Sequence, residues 1–170
     1  MDQREVALRQ WLTALRLFLT DQDPVSAHSL AGNAQDMIER LCRRNGVSPF
    51  FDDMLETNDD KNSRELRDII YQYRHAFKHA KDDDTETLRR FDDYQNDPML
   101  WVAAHDYGRL IGRTPVEMQV FEVWYNALYP EKLAERHRDA QFEQIFPDLQ
   151  SLDRAAQKAQ ALKTIQCVYL

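Results

Sequence analysis

Four times along the chain a capping residue stands directly before a proline: Asp23 before Pro24, Ser48 before Pro49, Asp97 before Pro98 and Thr114 before Pro115. A short polar side chain accepts from the free N–H groups of a first helical turn. Proline has no N–H to leave unpaired there, and its φ is already helical, so each pair predicts a helix start. Stop signals agree, since Gly46 and Gly112 each follow a helical pattern that could end at them. With only four Gly and six Pro among 170 residues, 30% charged and 43% hydrophobic, the composition favours helices over a turn-rich β architecture.

The apolar periodicity fills in the segments. A first helix is expected over about Gln3 to Thr20, with Val6, Trp11, Leu12, Leu15, Phe18 and Leu19 on its buried side. A second runs from Pro24 to about Asn45, where Ala27, Ala31 and Ala34 permit close approach by a neighbour. A short helix carries Phe50, Phe51, Met54 and Leu55, and a longer one follows a cap at Asn62 and Glu65. Thr85 to Tyr94 reads as a weak helical segment. Further helices follow Asp97 and the capping box of Thr114 and Glu117, the latter ending at Tyr129 and Pro130. Glu131 to Phe146 is a charged segment with a few apolar positions, and Pro147 precedes a last helix carrying Leu149, Leu152, Ala156, Ala159 and Leu162. The expected fold is all-α, a single-domain helical bundle of about six to eight helices. Residues 1–147 form the bundle; residues 148–170 form a C-terminal amphipathic helix and tail that pack on it or on a partner.

Charge and composition narrow the function classes. A net charge of −7, from 29 acidic and 22 basic side chains, argues against indiscriminate nucleic-acid binding but leaves room for a local basic site. No apolar run approaches the roughly 20 residues that span a bilayer, and the N-terminus lacks the layout of an export signal. A cytoplasmic protein without a membrane span is therefore expected. Cys42 and Cys167 are too few and too far apart for a metal or disulfide framework. Glycine-rich nucleotide loops, a nucleophile elbow and a His-Glu-x-x-His pair are all absent from the sequence, so no cofactor and no metal is expected. The adjacent His105 and Asp106 resemble half of a metal-phosphohydrolase pair and lack the other ligands.

The most chemically loaded stretch is Asn62 to Asp83. On a helix, Leu66, Ile70, Tyr73 and Phe77 fall within about 60° of one another as an apolar stripe, with Arg74 at its border. Measured from Arg74, Lys78, Tyr71, His75 and His79 lie at about 40°, 60°, 100° and 140° on the far side. That strip reads either as a solvated face or as a groove for an anion such as phosphate, lined by guanidinium, ammonium and imidazole donors. His75 and His79, one turn apart, could share a metal ion but need further ligands.

The run RHAFKH, Arg74 to His79, resembles the arginine, polar residue, then histidine signature of HEPN domains, a family of small α-helical bundles. The resemblance implies a metal-independent ribonuclease acting as a homodimer, with two motifs meeting between subunits. It implies that Arg74 holds the scissile phosphate, His79 moves protons and His75 supports them; Tyr71 and Lys78 are the expected substrate-binding neighbours. The family's usual glycine after the final histidine is Ala80 here, and the last third of the chain has no counterpart in the motif. Phe77 to Ala80 also resembles a segment of uncharacterised bacterial helical proteins. The alternative to an RNA partner is a protein partner, with the strip serving a non-catalytic interaction module.

Overall fold

A computed structural model describes residues 1–58, 60–78, 88–132 and 140–169. Among these the chain forms eight α-helices and no strand: α1 Gln3–Leu19, α2 Pro24–Arg44, α3 Phe50–Thr57, α4 Ser63–Lys78, α5 Asn96–Ile111, α6 Val116–Leu128, α7 Ala140–Ile145 and α8 Arg154–Val168. The fold is the expected all-α bundle. His79, the expected proton carrier, lies outside the described residues, as do 133–139 and part of the weak segment from Thr85.

The centre of the bundle is the α1–α2 hairpin, against which α5 lies, with α6 and α8 closing the α1 side. Ala7, Ala14, Ala27, Ala31 and Ala34 are fully buried, and these small side chains let the helix backbones approach closely. Large rings fill the space beyond. Phe18 meets Phe121 and Trp124 edge-on at 5.9 and 5.8 Å, and Trp11 meets Phe121 at 6.0 Å. Each buried ring contributes ~2–3 kcal/mol of apolar burial. The indole N–H groups are satisfied across helices, Trp11 to the Leu100 carbonyl at 2.9 Å and Trp124 to that of Gln157 at 2.8 Å.

The start of α8 is tied into this core by charge. Arg154 donates to Asp97 through both terminal nitrogens, at 2.9 and 2.5 Å, and through Nε to Asp93 at 2.8 Å. Asp97 is fully buried and also accepts from the Tyr129 hydroxyl at 2.6 Å. Lys158, only 2% exposed, bridges Asp21 and Asp93, both at 2.8 Å. Residues of the C-terminal segment thus pack on the bundle itself.

The expected caps are formed at two helices and replaced at three. Asp23 accepts from the Val25 and Ser26 amides, and Asn62 with Glu65 makes the reciprocal capping box that opens α4. Ser48 does not cap α3: its hydroxyl turns to Asp52, and the Phe50 amide instead donates to Asp106 on α5 at 2.7 Å. Asp97 does not cap α5, which has already begun at Asn96, because the carboxylate is taken by Arg154 and Tyr129. Thr114 makes no side-chain cap for α6, where Pro115 is the capping residue. At Asp97 the carboxylate was claimed by partners distant in sequence, which no local pattern contains.

Candidate functional site

Helix α4 packs chiefly on α2, and the two run antiparallel, so the rising sequence of one meets the falling sequence of the other. From one end to the other, Glu39 meets Arg67 and Tyr71, Asp36 and Gly32 meet Arg74, and Ser29 and Asn33 face Lys78. The residues of α2 in this seam recur every three or four positions and so share one face.

At the first end sits a buried carboxylate. Glu39 is 5% exposed; Arg67 donates to its Oε1 at 2.8 Å, while the Tyr71 hydroxyl donates to Oε2 at 3.0 Å and Gln35 Nε2 does so at 3.3 Å. Burial alone would raise this carboxyl, but the Arg67 hydrogen bond and charge, helped by Gln35 and Tyr71, outweigh it and hold the group below its ordinary value. The Tyr71 hydroxyl is pushed upward by burial and by the adjacent Glu39 charge. It stays neutral and donates.

This corrects the expected position of Tyr71. The helical wheel put it on an exposed strip as a substrate contact, whereas it is 5% exposed and bonded within the protein. The cause is where α2 lies: it covers the Arg67, Tyr71 and Arg74 side of α4, beside the apolar stripe, so the covered sector is wider than the stripe. Ile70 and Phe77 of the stripe are only half-buried, and Ile69, next to them, is 52% exposed.

In the middle of the seam Arg74 lies across Gly32. A Cβ at Gly32 would stand 2.9 Å from Arg74 Cδ, so the missing side chain is what lets the arginine arm cross α2. Its guanidinium reaches Asp36 at 3.3 Å and lies 5.8 Å from the Tyr71 ring centroid. Arg74 Nε is buried and has no hydrogen-bond partner among the described residues. Beyond it, Arg74, Lys78, Phe77, Ser29 and Asn33 line a hollow of about 200 Å³. Lys78 is exposed and has no acidic partner among the described residues. His75 is also exposed, with its ring 6.3 Å from that of Tyr71, and it does not line the hollow.

The sequence reading thus located Arg74 and Lys78, which the structure brings together, and missed the α2 half. Ser29, Gly32, Asn33 and Asp36 carried a signal as small or polar residues at helical spacing on a second face of α2. A glycine inside an otherwise helical run was the strongest part of it.

Behind the same seam His28 is a core residue, 2% exposed and ringed edge-on by Phe91, Phe77 and Tyr73 at 5.3, 5.7 and 6.1 Å. Asn96 Nδ2 donates to the Pro24 carbonyl, so its Oδ1 is the acceptor and His28 Nδ1 carries the proton across the 3.1 Å contact. Burial, opposed by that bond and reinforced by the Arg74 charge, pushes the imidazole down to about 4. His105 stacks on Trp101 at 4.8 Å and lies 3.5 Å from Glu122, while Asp106 is buried under α3. This pair is therefore packed into the fold. Among the described residues no three His, Cys, Asp or Glu side chains are grouped to hold a metal ion, and no helix is long and apolar enough to cross a membrane.

Compared with known proteins, the chain matches no family model, and no curated protein or solved structure matches it.

Proposed function

We propose that this protein is an RNA-directed, HEPN-like helical domain with metal-independent ribonuclease activity, and that the hollow beside Arg74 and Lys78 receives the phosphate. The supporting observation is that a guanidinium and an ammonium border one cavity with a hydroxyl and an amide from α2. Arginine remains charged at every relevant pH and can donate in pairs to phosphate oxygens, while lysine adds a mobile point charge. Gly32 and Asp36 hold the arginine arm in place, which reduces the ordering needed when the anion arrives. His79 follows Lys78 directly. In this reading it takes the proton from the ribose 2′-hydroxyl as that oxygen attacks phosphorus or returns one to the departing 5′-oxygen. The products are a cyclic phosphate and a 5′-hydroxyl, with no metal and no outside reagent. A symmetric homodimer in the cytoplasm, pairing two such hollows, belongs to the same proposal.

A second reading rests on the Arg74 to Asp36 ion pair, made by an arginine side chain only 13% exposed. That pair suits a non-catalytic protein-interaction module in which Arg74 is structural. One experiment separates the two. Wild type, Arg74→Ala and His79→Ala are incubated with mixed RNA in chelator, with circular dichroism as the control for folding and sedimentation for assembly. Cleavage that leaves cyclic-phosphate ends and falls by about a hundredfold in both folded variants is the expected result. Equal cleavage by all three overturns the assignment, and neither cleavage nor RNA binding by the wild type leaves the interaction module as the better reading.

A further inference from the structure

A second and larger cavity, of about 420 Å³, opens between α4 and α5 with α3 at one side. Its volume is in the range of small-molecule sites, and it uses none of the cations of the phosphate hollow. We propose that it binds a small aliphatic carboxylate, with the hydrocarbon tail between α4 and α5 and the carboxylate at Lys132.

The walls decide the tail. Ile69 and Ile70 come from α4, Met99 and Val102 from α5, and Met54 from α3, a set of flexible or branched aliphatic groups that adapts to a chain. A flat aromatic ligand would need an open ring face. Trp101, the largest ring in the lining, is already stacked with His105 at 4.8 Å and with Tyr125 at 5.3 Å. Phe50 meets it edge-on at 5.0 Å. Trp101 is thus already engaged by three rings, and an alkyl chain needs no open ring face to pack.

Charge decides the head. Among the described residues lining the cavity there is no carboxylate, and Lys132 is the one charged side chain. Its ammonium rests on the face of Tyr129, 3.9 Å from the centroid, and 5.7 Å from that of Tyr125. Aromatic faces hold a cation without neutralising it, so the positive charge remains available to a carboxylate. Gln35, Gln72 and Gln95 supply neutral polar groups around the same space. Ile69, 52% exposed on α4, is an exposed apolar side chain that the ligand's tail would cover.

The test uses decanoate well below its micelle concentration, with decanol as the uncharged counterpart, titrated into the full chain by calorimetry. The expected result is saturable one-to-one binding of decanoate and a rise in melting temperature. Lys132→Met keeps the side-chain stem and removes the charge; it should weaken decanoate about fivefold and leave decanol within twofold. Ile69→Trp fills the cavity from an exposed position, where the fold is not at risk, and should weaken both ligands more than tenfold while circular dichroism stays unchanged. No saturable binding by the wild type overturns the site. Decanoate binding that Ile69→Trp leaves intact places the ligand elsewhere and also overturns it, and equal decanoate affinity in Lys132→Met overturns the carboxylate class.

Discussion

At the scale of single residues, two buried titratable groups act against each other. His28 stands at about 4 in the folded protein against an ordinary 6.5. Between those values the unfolded chain takes up a proton that the native ring refuses, so this group's contribution is present above pH 6.5 and lost as pH falls, by ~3 kcal/mol in full. Asp106 has the opposite sign. Burial, opposed by the Phe50 amide, pushes it up to about 6 from 3.8, so its contribution is full below pH 3.8 and lost as pH rises through 6, again ~3 kcal/mol. The two largely cancel in the wild type. Urea unfolding at several pH values between 4 and 7 should show Asp106→Asn losing stability on acidification more steeply than wild type, and His28→Gln less steeply. Parallel curves for all three proteins would contradict the assignment. Nothing local in the sequence specifies the three rings around His28.

At the scale of elements, the α2–α4 seam depends on one missing side chain. Gly32 sits inside α2, where alanine would favour the helix by ~1 kcal/mol, yet alanine there would press on Arg74 Cδ. Gly32→Ala is therefore expected to change stability by less than ~1 kcal/mol while displacing the Arg74 arm. RNA binding or cleavage should fall as it does in Arg74→Ala, measured beside a denaturant curve; full activity in Gly32→Ala would show that the arm does not need this path. How much of each element was legible follows from where its partners lie. The α4 capping box was readable because Asn62 and Glu65 answer each other within one turn. The start of α3 was not, because its cap is Asp106, 56 positions away from Phe50. Tyr71 was misplaced for the same reason: the wheel orders the side chains correctly, but only the position of α2 says which of them are covered.

At the scale of the whole molecule, the C-terminal helix is held by buried charge as well as apolar area. Asp97 is fully buried, and burial raises its carboxyl while the Arg154 bonds and charge oppose that rise. Removing the arginine leaves a buried carboxylate with, among the described residues, only the Tyr129 hydroxyl. Arg154→Met is expected to cost ~3–5 kcal/mol, and adding Asp97→Asn should recover part of it, because the uncompensated charge is then gone. Denaturant unfolding of the two variants measures both numbers. A loss below ~1 kcal/mol in Arg154→Met would mean that packing alone holds α8. Arg154 also lies over Tyr94, 4.3 Å from its centroid, and near Phe18 and Trp124, so methionine keeps some of the stem contact.

Helix α7 went unrecognised within a charged segment, and α8 begins at Arg154, past Leu149 and Leu152, which were expected on it. The all-α class and the approximate bounds of α1 to α6 were determined by the sequence alone, because capping residues, prolines and apolar periodicity act within a few residues of one another. So was the collection of cations on one stretch, Arg74 to Lys78. Which of them face a cavity, which are held by α2, and why Gly32 is where it is were decided by tertiary structure. Those outcomes depend on the side of α4 that α2 covers, a choice made by the summed packing of distant segments that no local pattern encodes.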